Sequence, residues 1–189
     1  RADSVVVNPH KWLFTPVDLS TFFTRHLDTV ADAFTLIPAY LQTPEREGER
    51  NYMNYGPQLG RRFRALKLWF VLRAYGREGI VRRLREHLRL AQLFAQLVGE
   101  DGDWEIMAPV PFSNVCFRAH PSGCEQVELN DLNQKIEDAV NATGEVFIAH
   151  TMLGDALTLR LAIGNVRTEE RHVLRTWELL QGALREVRV

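Results

Sequence analysis

Lys11 sits in the stretch VVVNPHKWLF, residues 5–14, between His10 and Trp12 and directly after a β-branched run that ends in Asn-Pro. Two chemistries suit a lysine there. It is a solvated amine in a polar turn, or it is an amine poised to form a Schiff base. The second role needs partial desolvation or a nearby cation to free the lone pair. His10 can donate to an anion, and Trp12 can supply an apolar wall. A second set of reactive groups lies in residues 35–60, where Tyr40, Tyr52 and Tyr55 occur among prolines and glycines. A phenol with a pKa of about 10 keeps its proton at neutral pH and can deliver it. His26, His87, His120, His150 and His172 show no HxxH or HExxH spacing, so no metal site is expected.

These groups need elements to position them. The valine run has apolar character on both faces and predicts an interior strand of an α/β sheet. LSTFFTRHL, residues 19–27, reads as another strand or a helical turn. Residues 35–60 carry turn chemistry over a length that usually serves a function. RRFRALKLWFVLRAYG then predicts a helix with Phe63, Leu66, Trp69 and Phe70 on one stripe, stopped at Gly76. A second helix follows, with Ile80, Leu84, Leu88, Leu93 and Leu97 expected inward and Gly99 at its C-terminal cap. Beyond it, DWEIM, NVCFRAH, EVFIAHT and LTLRLAIG alternate like half-buried strands. Between them a helix is expected from about Asn130 to Ala142. A last helix has Thr168 as expected N-cap and Val173, Leu174, Trp177, Leu180 and Leu184 as its buried face. From about residue 70 onward the chain reads as a small antiparallel sheet covered by helices.

NPHKW resembles the cofactor-lysine motif of the group II pyridoxal-phosphate-dependent decarboxylases, in the aromatic-L-amino-acid and histidine decarboxylase branch. LGRRFRALKLWFVLRAYG at 59–76, VCFR at 115–118, LRLAIGN at 159–165 and HVLRTWELL at 172–180 match that family in order, so the resemblance covers essentially the whole chain. It implies an α/β fold of the aspartate-aminotransferase type, called fold type I, in a homodimer with its active site at the interface. Residues 1–68 would be the end of the large cofactor-binding domain, with a mobile catalytic loop at about 35–58. Residues 69–189 would be the small C-terminal α+β domain. Lys11 would hold pyridoxal 5'-phosphate as an internal aldimine, with Asn8 and His10 close to the cofactor. Tyr40 falls at the family's conserved loop tyrosine, the expected proton donor to the quinonoid left after carbon dioxide departs. Val17 and Gly60 fall at substrate-pocket positions, and Gly60 leaves room for a bulky ring such as indole. Relatives that form aldehydes are associated with phenylalanine at the Tyr40 position. Decarboxylation of histidine or of an acidic amino acid stays open as an alternative.

Composition narrows the partners. The 189 residues are 46% hydrophobic and 25% charged, with a net charge of −1, the profile of a globular protein without the basic surplus that phosphate backbones require. Nine arginines and Lys67 crowd residues 61–89, and these are expected to be solvated or paired with Glu78 and Glu86 rather than to bind nucleic acid. Cys116 and Cys124 form no disulfide framework, and no apolar run reaches the roughly 18 residues of a membrane span. A cytoplasmic, reduced setting is the expectation. The abrupt entry into a strand predicts that this is the C-terminal part of a larger enzyme, whose N-terminal remainder would be its partner. Alone, the segment would be an inactive folding or dimerisation module.

Overall fold

The computed structural model describes residues 1–35 and 50–188, in two compact units, Arg1–Gly76 and Arg77–Val189. The first holds β1 (Ser4–Val7), the four-residue helix α1 (Pro9–Trp12), β2 (Thr21–Thr24), α2 (Leu27–Phe34) and a 3-10 turn at Tyr52–Tyr55. Helix α3 (Ala65–Glu100) begins in this unit and ends in the second. At their boundary Gly76 takes φ 62° and ψ 176°, which breaks the helical path. A side chain is strained in that left-handed region, so glycine suits the position.

The valine run is a strand, but an open one. Among the described residues β1 pairs only with β2, antiparallel, with Val7 opposite Thr21, in a two-stranded sheet. Val5, Val6 and Val7 are 48%, 61% and 38% exposed within this chain, so the neighbours that an interior strand needs are not supplied by the described residues. β-Branched side chains favour extended backbone whether or not a second layer covers them. The stripe before Gly76 is likewise helical from Ala65 yet exposed, with Phe63, Leu66, Trp69 and Phe70 all open to solvent.

The second unit is a four-stranded antiparallel sheet of order β3-β4-β6-β5, formed by β3 (Trp104–Ile106), β4 (Asn114–Ala119), β5 (Ala149–Leu153) and β6 (Ala156–Ala162). Helices α4 (Gln126–Ala142) and α5 (Glu170–Val187) share its core with the later turns of α3. Phe94 of α3 packs edge-on against Phe117 of β4 and Trp177 of α5, at centroid separations of 4.9 and 6.0 Å. Burying such a ring is worth about 1.5–3 kcal/mol.

Local expectations shift in all three long helices. The inward residues of α3 are Ile80, His87, Leu90, Ala91, Phe94 and Val98, while Leu84, Leu88, Leu93 and Leu97 are only partly covered. Gly99 lies inside the last turn of α3 rather than at its cap. Helix α4 starts at Gln126, four residues earlier than expected, because Glu125 and Glu128 form a capping box there. The N-cap of α5 is Glu169, whose backbone N–H donates to His172 Nδ1 at 2.9 Å, so Thr168 stays outside the helix. Leu174 is 39% exposed, and Thr176 and Ala183 join the buried face instead.

Asparagines on α4 fix the helix to the strands. Asn133, fully buried, accepts from the Ala119 N–H at 2.8 Å and donates to the Ala119 carbonyl at 2.9 Å. Asn141 does the same for Ile148, and Asn130 accepts from the Leu157 N–H while donating to the Asp155 carbonyl. The carboxamides thus meet the N–H groups of Ala119, Ile148 and Leu157, buried residues whose main chain would otherwise lack a partner there.

Candidate active site

The β1–β2 ladder pins both ends of the excursion 8–20, which carries Lys11. Pro9 occupies the first helical position of α1, where its fixed φ suits the helix and its missing N–H costs nothing. The Lys11 N–H donates to the Asn8 carbonyl at 2.9 Å, and the Leu13 N–H to Pro9 at 3.1 Å, closing one turn around the lysine. Two ties then cross the loop. The Ser20 hydroxyl donates to Asn8 Oδ1, and His10 Nδ1 meets Leu19, lying 2.5 Å from its carbonyl oxygen and 3.1 Å from its main-chain nitrogen. Nδ1 is engaged by the Leu19 peptide groups, so Nε2 points away from this tie. Leu19, 5% exposed, and Thr15, 4% exposed, anchor the loop below.

Lys11 itself is exposed, and its amine makes no hydrogen bond or ion pair among the described residues. Asn8 and His10 therefore shape the loop that presents it. Val17 lies further along the same loop and is 80% exposed. Gly60 lies in the segment before α3, where an added Cβ would meet nothing within 4 Å. Tyr40 falls outside the described residues, as does most of the expected catalytic loop.

A further set of ties was not foreseen from sequence. Arg64 Nε donates to Asp18 Oδ2 at 3.0 Å, and Lys67 Nζ donates to the carbonyls of Pro16 at 3.1 Å and Asp18 at 2.9 Å. The hydrogen bond from Arg64 holds the Asp18 carboxyl below its ordinary pKa. The available signal was the spacing of Arg64 and Lys67, three residues apart and so on one side of a helix start, with an acid after Pro16. The bonds to main-chain carbonyls carry no such signal.

Other candidates resolve as structure. His150 Nδ1 donates to Glu137 at 2.5 Å, and His87, 2% exposed, donates from Nε2 to the Asn165 carbonyl at 3.1 Å. Arg89 pairs with Glu86 and Glu170. Among the described residues no cluster of three His, Cys, Asp or Glu side chains could hold a metal, and no helix is long and apolar enough to cross a membrane.

The donor set suits a cofactor with an aldehyde and an anionic group: a primary amine for the carbonyl carbon, and an imidazole beside it whose orientation is fixed. Comparison with known proteins agrees. Residues 1–120 match the pyridoxal-dependent decarboxylase conserved domain. The chain is 40% identical over 182 residues to phenylacetaldehyde synthase of Arabidopsis thaliana, covering 95% of this chain and 37% of that protein. It is 38% identical over 183 residues to tyrosine decarboxylase 2 of the same plant, covering 96% and 34%. The crystal structure of Catharanthus roseus tryptophan decarboxylase in complex with L-tryptophan superposes with a TM-score of 0.85 at 35% identity, over 98% of this chain and 39% of that one. The chain thus spans little more than a third of the length of these relatives, and shares their fold type I architecture. On its sequence, its fold and the motif that carries Lys11, this chain belongs to the pyridoxal-dependent decarboxylase family.

Proposed function

We propose that this chain carries the cofactor lysine and the C-terminal part of an enzyme that converts an aromatic L-amino acid to its amine and carbon dioxide. The observation that carries the reading is the exposed, unengaged amine of Lys11 on a loop tied across by Asn8 and His10. The relatives favour an aromatic side chain, since their names concern phenylacetaldehyde, tyrosine and tryptophan. In this reading residues 1–68 close the large domain and 69–189 form the small one, in a cytoplasmic homodimer with the N-terminal remainder of the enzyme present.

Lys11 Nζ would hold the aldehyde carbon of pyridoxal phosphate, and His10 Nε2 would face the cofactor with Asn8 beside it. Bound there, the cofactor supplies an electron sink for the carbanion that remains when carbon dioxide leaves. Tyr40, read from sequence, would return a proton from its phenol oxygen to the substrate Cα. Val17 and Gly60 would border the substrate ring, and the bare Gly60 suits a large one.

A second reading is favoured by the 40% identity to an aldehyde-forming enzyme. Tyr40 weighs against it, because the resemblance associates aldehyde formation with phenylalanine there. The deciding experiment is a product assay of the full-length enzyme with Trp, Tyr, Phe, dihydroxyphenylalanine, His and Glu. Amine from an aromatic substrate, lost in Lys11→Ala, is expected. Aldehyde as the main product would install the second reading, and turnover of His or Glu alone would overturn the aromatic assignment.

A further inference from the structure

We propose that Asp18, Arg64 and Lys67 form a clamp that positions Val17 and thereby sets the ring-size preference of the substrate pocket. This rests on the aromatic-decarboxylase reading above. Lys67 Nζ donates to the carbonyls of Pro16 and Asp18, the residues on either side of Val17, at 3.1 and 2.9 Å. Arg64 adds a third tie through the Asp18 carboxylate at 3.0 Å. One bond holds the peptide before Val17 and the other the peptide after Asp18, so the stretch that contains Val17 is tied at both ends to the same ammonium.

Stability alone gives no reason for this arrangement. Val17 is 80% exposed and contributes nothing to the core of its unit. The Asp18 side chain is 52% exposed, and exposed ion pairs add little to folding. What three convergent ties do accomplish is to hold a solvent-facing apolar side chain in one place. They also join the Val17 loop to the segment just before α3, where Gly60 stands four residues before Arg64. The two pocket residues are carried on stretches that one clamp binds together. Arg64, Lys67 and Asp18 are positioning residues, acting through Val17 and its neighbours.

The test uses the full-length, cofactor-loaded enzyme and the variants Lys67→Met, Lys67→Arg and Arg64→Gln. Amide hydrogen exchange in the peptide 13–20 reports on the clamp whatever the activity. In Lys67→Met it should quicken on the order of tenfold, with other regions unchanged. The ratio of kcat/KM for L-tryptophan to that for L-phenylalanine should shift several-fold, about one lost hydrogen bond's worth. Arg64→Gln should move both readouts in the same direction by less, and Lys67→Arg should restore most of each. Unchanged exchange in 13–20 overturns the clamp. Faster exchange with an unchanged substrate ratio overturns its role in specificity. A parent enzyme inactive on every aromatic amino acid overturns the functional reading, and the exchange result still judges the clamp.

Discussion

His10 and Leu19 are joined across nine residues, the ring Nδ1 lying 2.5 Å from the main-chain carbonyl oxygen and 3.1 Å from the main-chain nitrogen, so the side chain next to Lys11 locks the loop that carries it. The loop and the imidazole are orienting each other. Replacing His10 by leucine should loosen the loop and weaken cofactor binding, by about tenfold for one hydrogen bond lost. His10→Asn places a carboxamide where Nδ1 was and keeps the loop tie, but has nothing in place of Nε2. Titration of the full-length apoenzyme with pyridoxal phosphate separates the two effects. Equal affinity in wild type and His10→Asn would remove Nε2 from the cofactor site.

Tyr40 governs the fate of the carbanion if it is the proton donor. In the full-length enzyme Tyr40→Phe should reduce amine formation about a hundredfold. Dioxygen would then intercept the carbanion, giving aldehyde and ammonia while being reduced to peroxide. Coupled assays for peroxide and ammonia, run beside an amine assay, check this. Amine produced at the parental rate would sink the assignment.

Asn133 should be among the most sensitive positions in the second unit. Asn133→Leu strands the N–H and carbonyl of Ala119 in a fully buried place. Leaving such groups unmet costs about 1–3 kcal/mol each. Urea unfolding should show a lower midpoint at an unchanged slope. A midpoint within error of wild type would mean that water or a shifted backbone replaces the carboxamide.

His87 should make stability sensitive to mild acid. Burial holds its pKa below the ordinary 6.5, with the bond to Asn165 opposing the shift only in part. A base with a lowered native pKa takes up its proton more readily when unfolded. Stability is therefore greatest above pH 6.5 and declines as pH falls from there toward the native value. Melting temperatures measured between pH 8 and 5 should fall with acid in the wild type, and by less in His87→Gln. Identical pH profiles for the two proteins would exclude His87 as the source.

The sequence was most legible where residue type reports directly on backbone or chemistry. The valines of β1, the alternating strands of the second unit and the Gly76 break in α3 all belong to this class. Burial was harder to read. β-Branching predicted a strand at Val5–Val7 but could not say whether a second layer covers it, and among the described residues only β2 pairs with it. In α3, leucines occur on several faces of an arginine-rich helix, so the leucine spacing pointed to Leu84, Leu88 and Leu93 while Leu90, Phe94 and Val98 are buried. At the site, the HKW motif drew attention to Lys11. Its supports were illegible because they work through main-chain atoms: Leu19 toward His10, and Pro16 and Asp18 toward Lys67. Any residue supplies a carbonyl, so no pattern of types announces one.

The carboxamides of α4 have an evolutionary corollary. Asn130, Asn133 and Asn141 recognise strands and their turns by peptide groups, not by side chains. Substitutions at Ala119, Ile148 or Leu157 can therefore accumulate without changing what the helix recognises. The register of helix against sheet is thereby written in three amides and the peptide groups they meet, and would hold for any strand side chains that still fill the core.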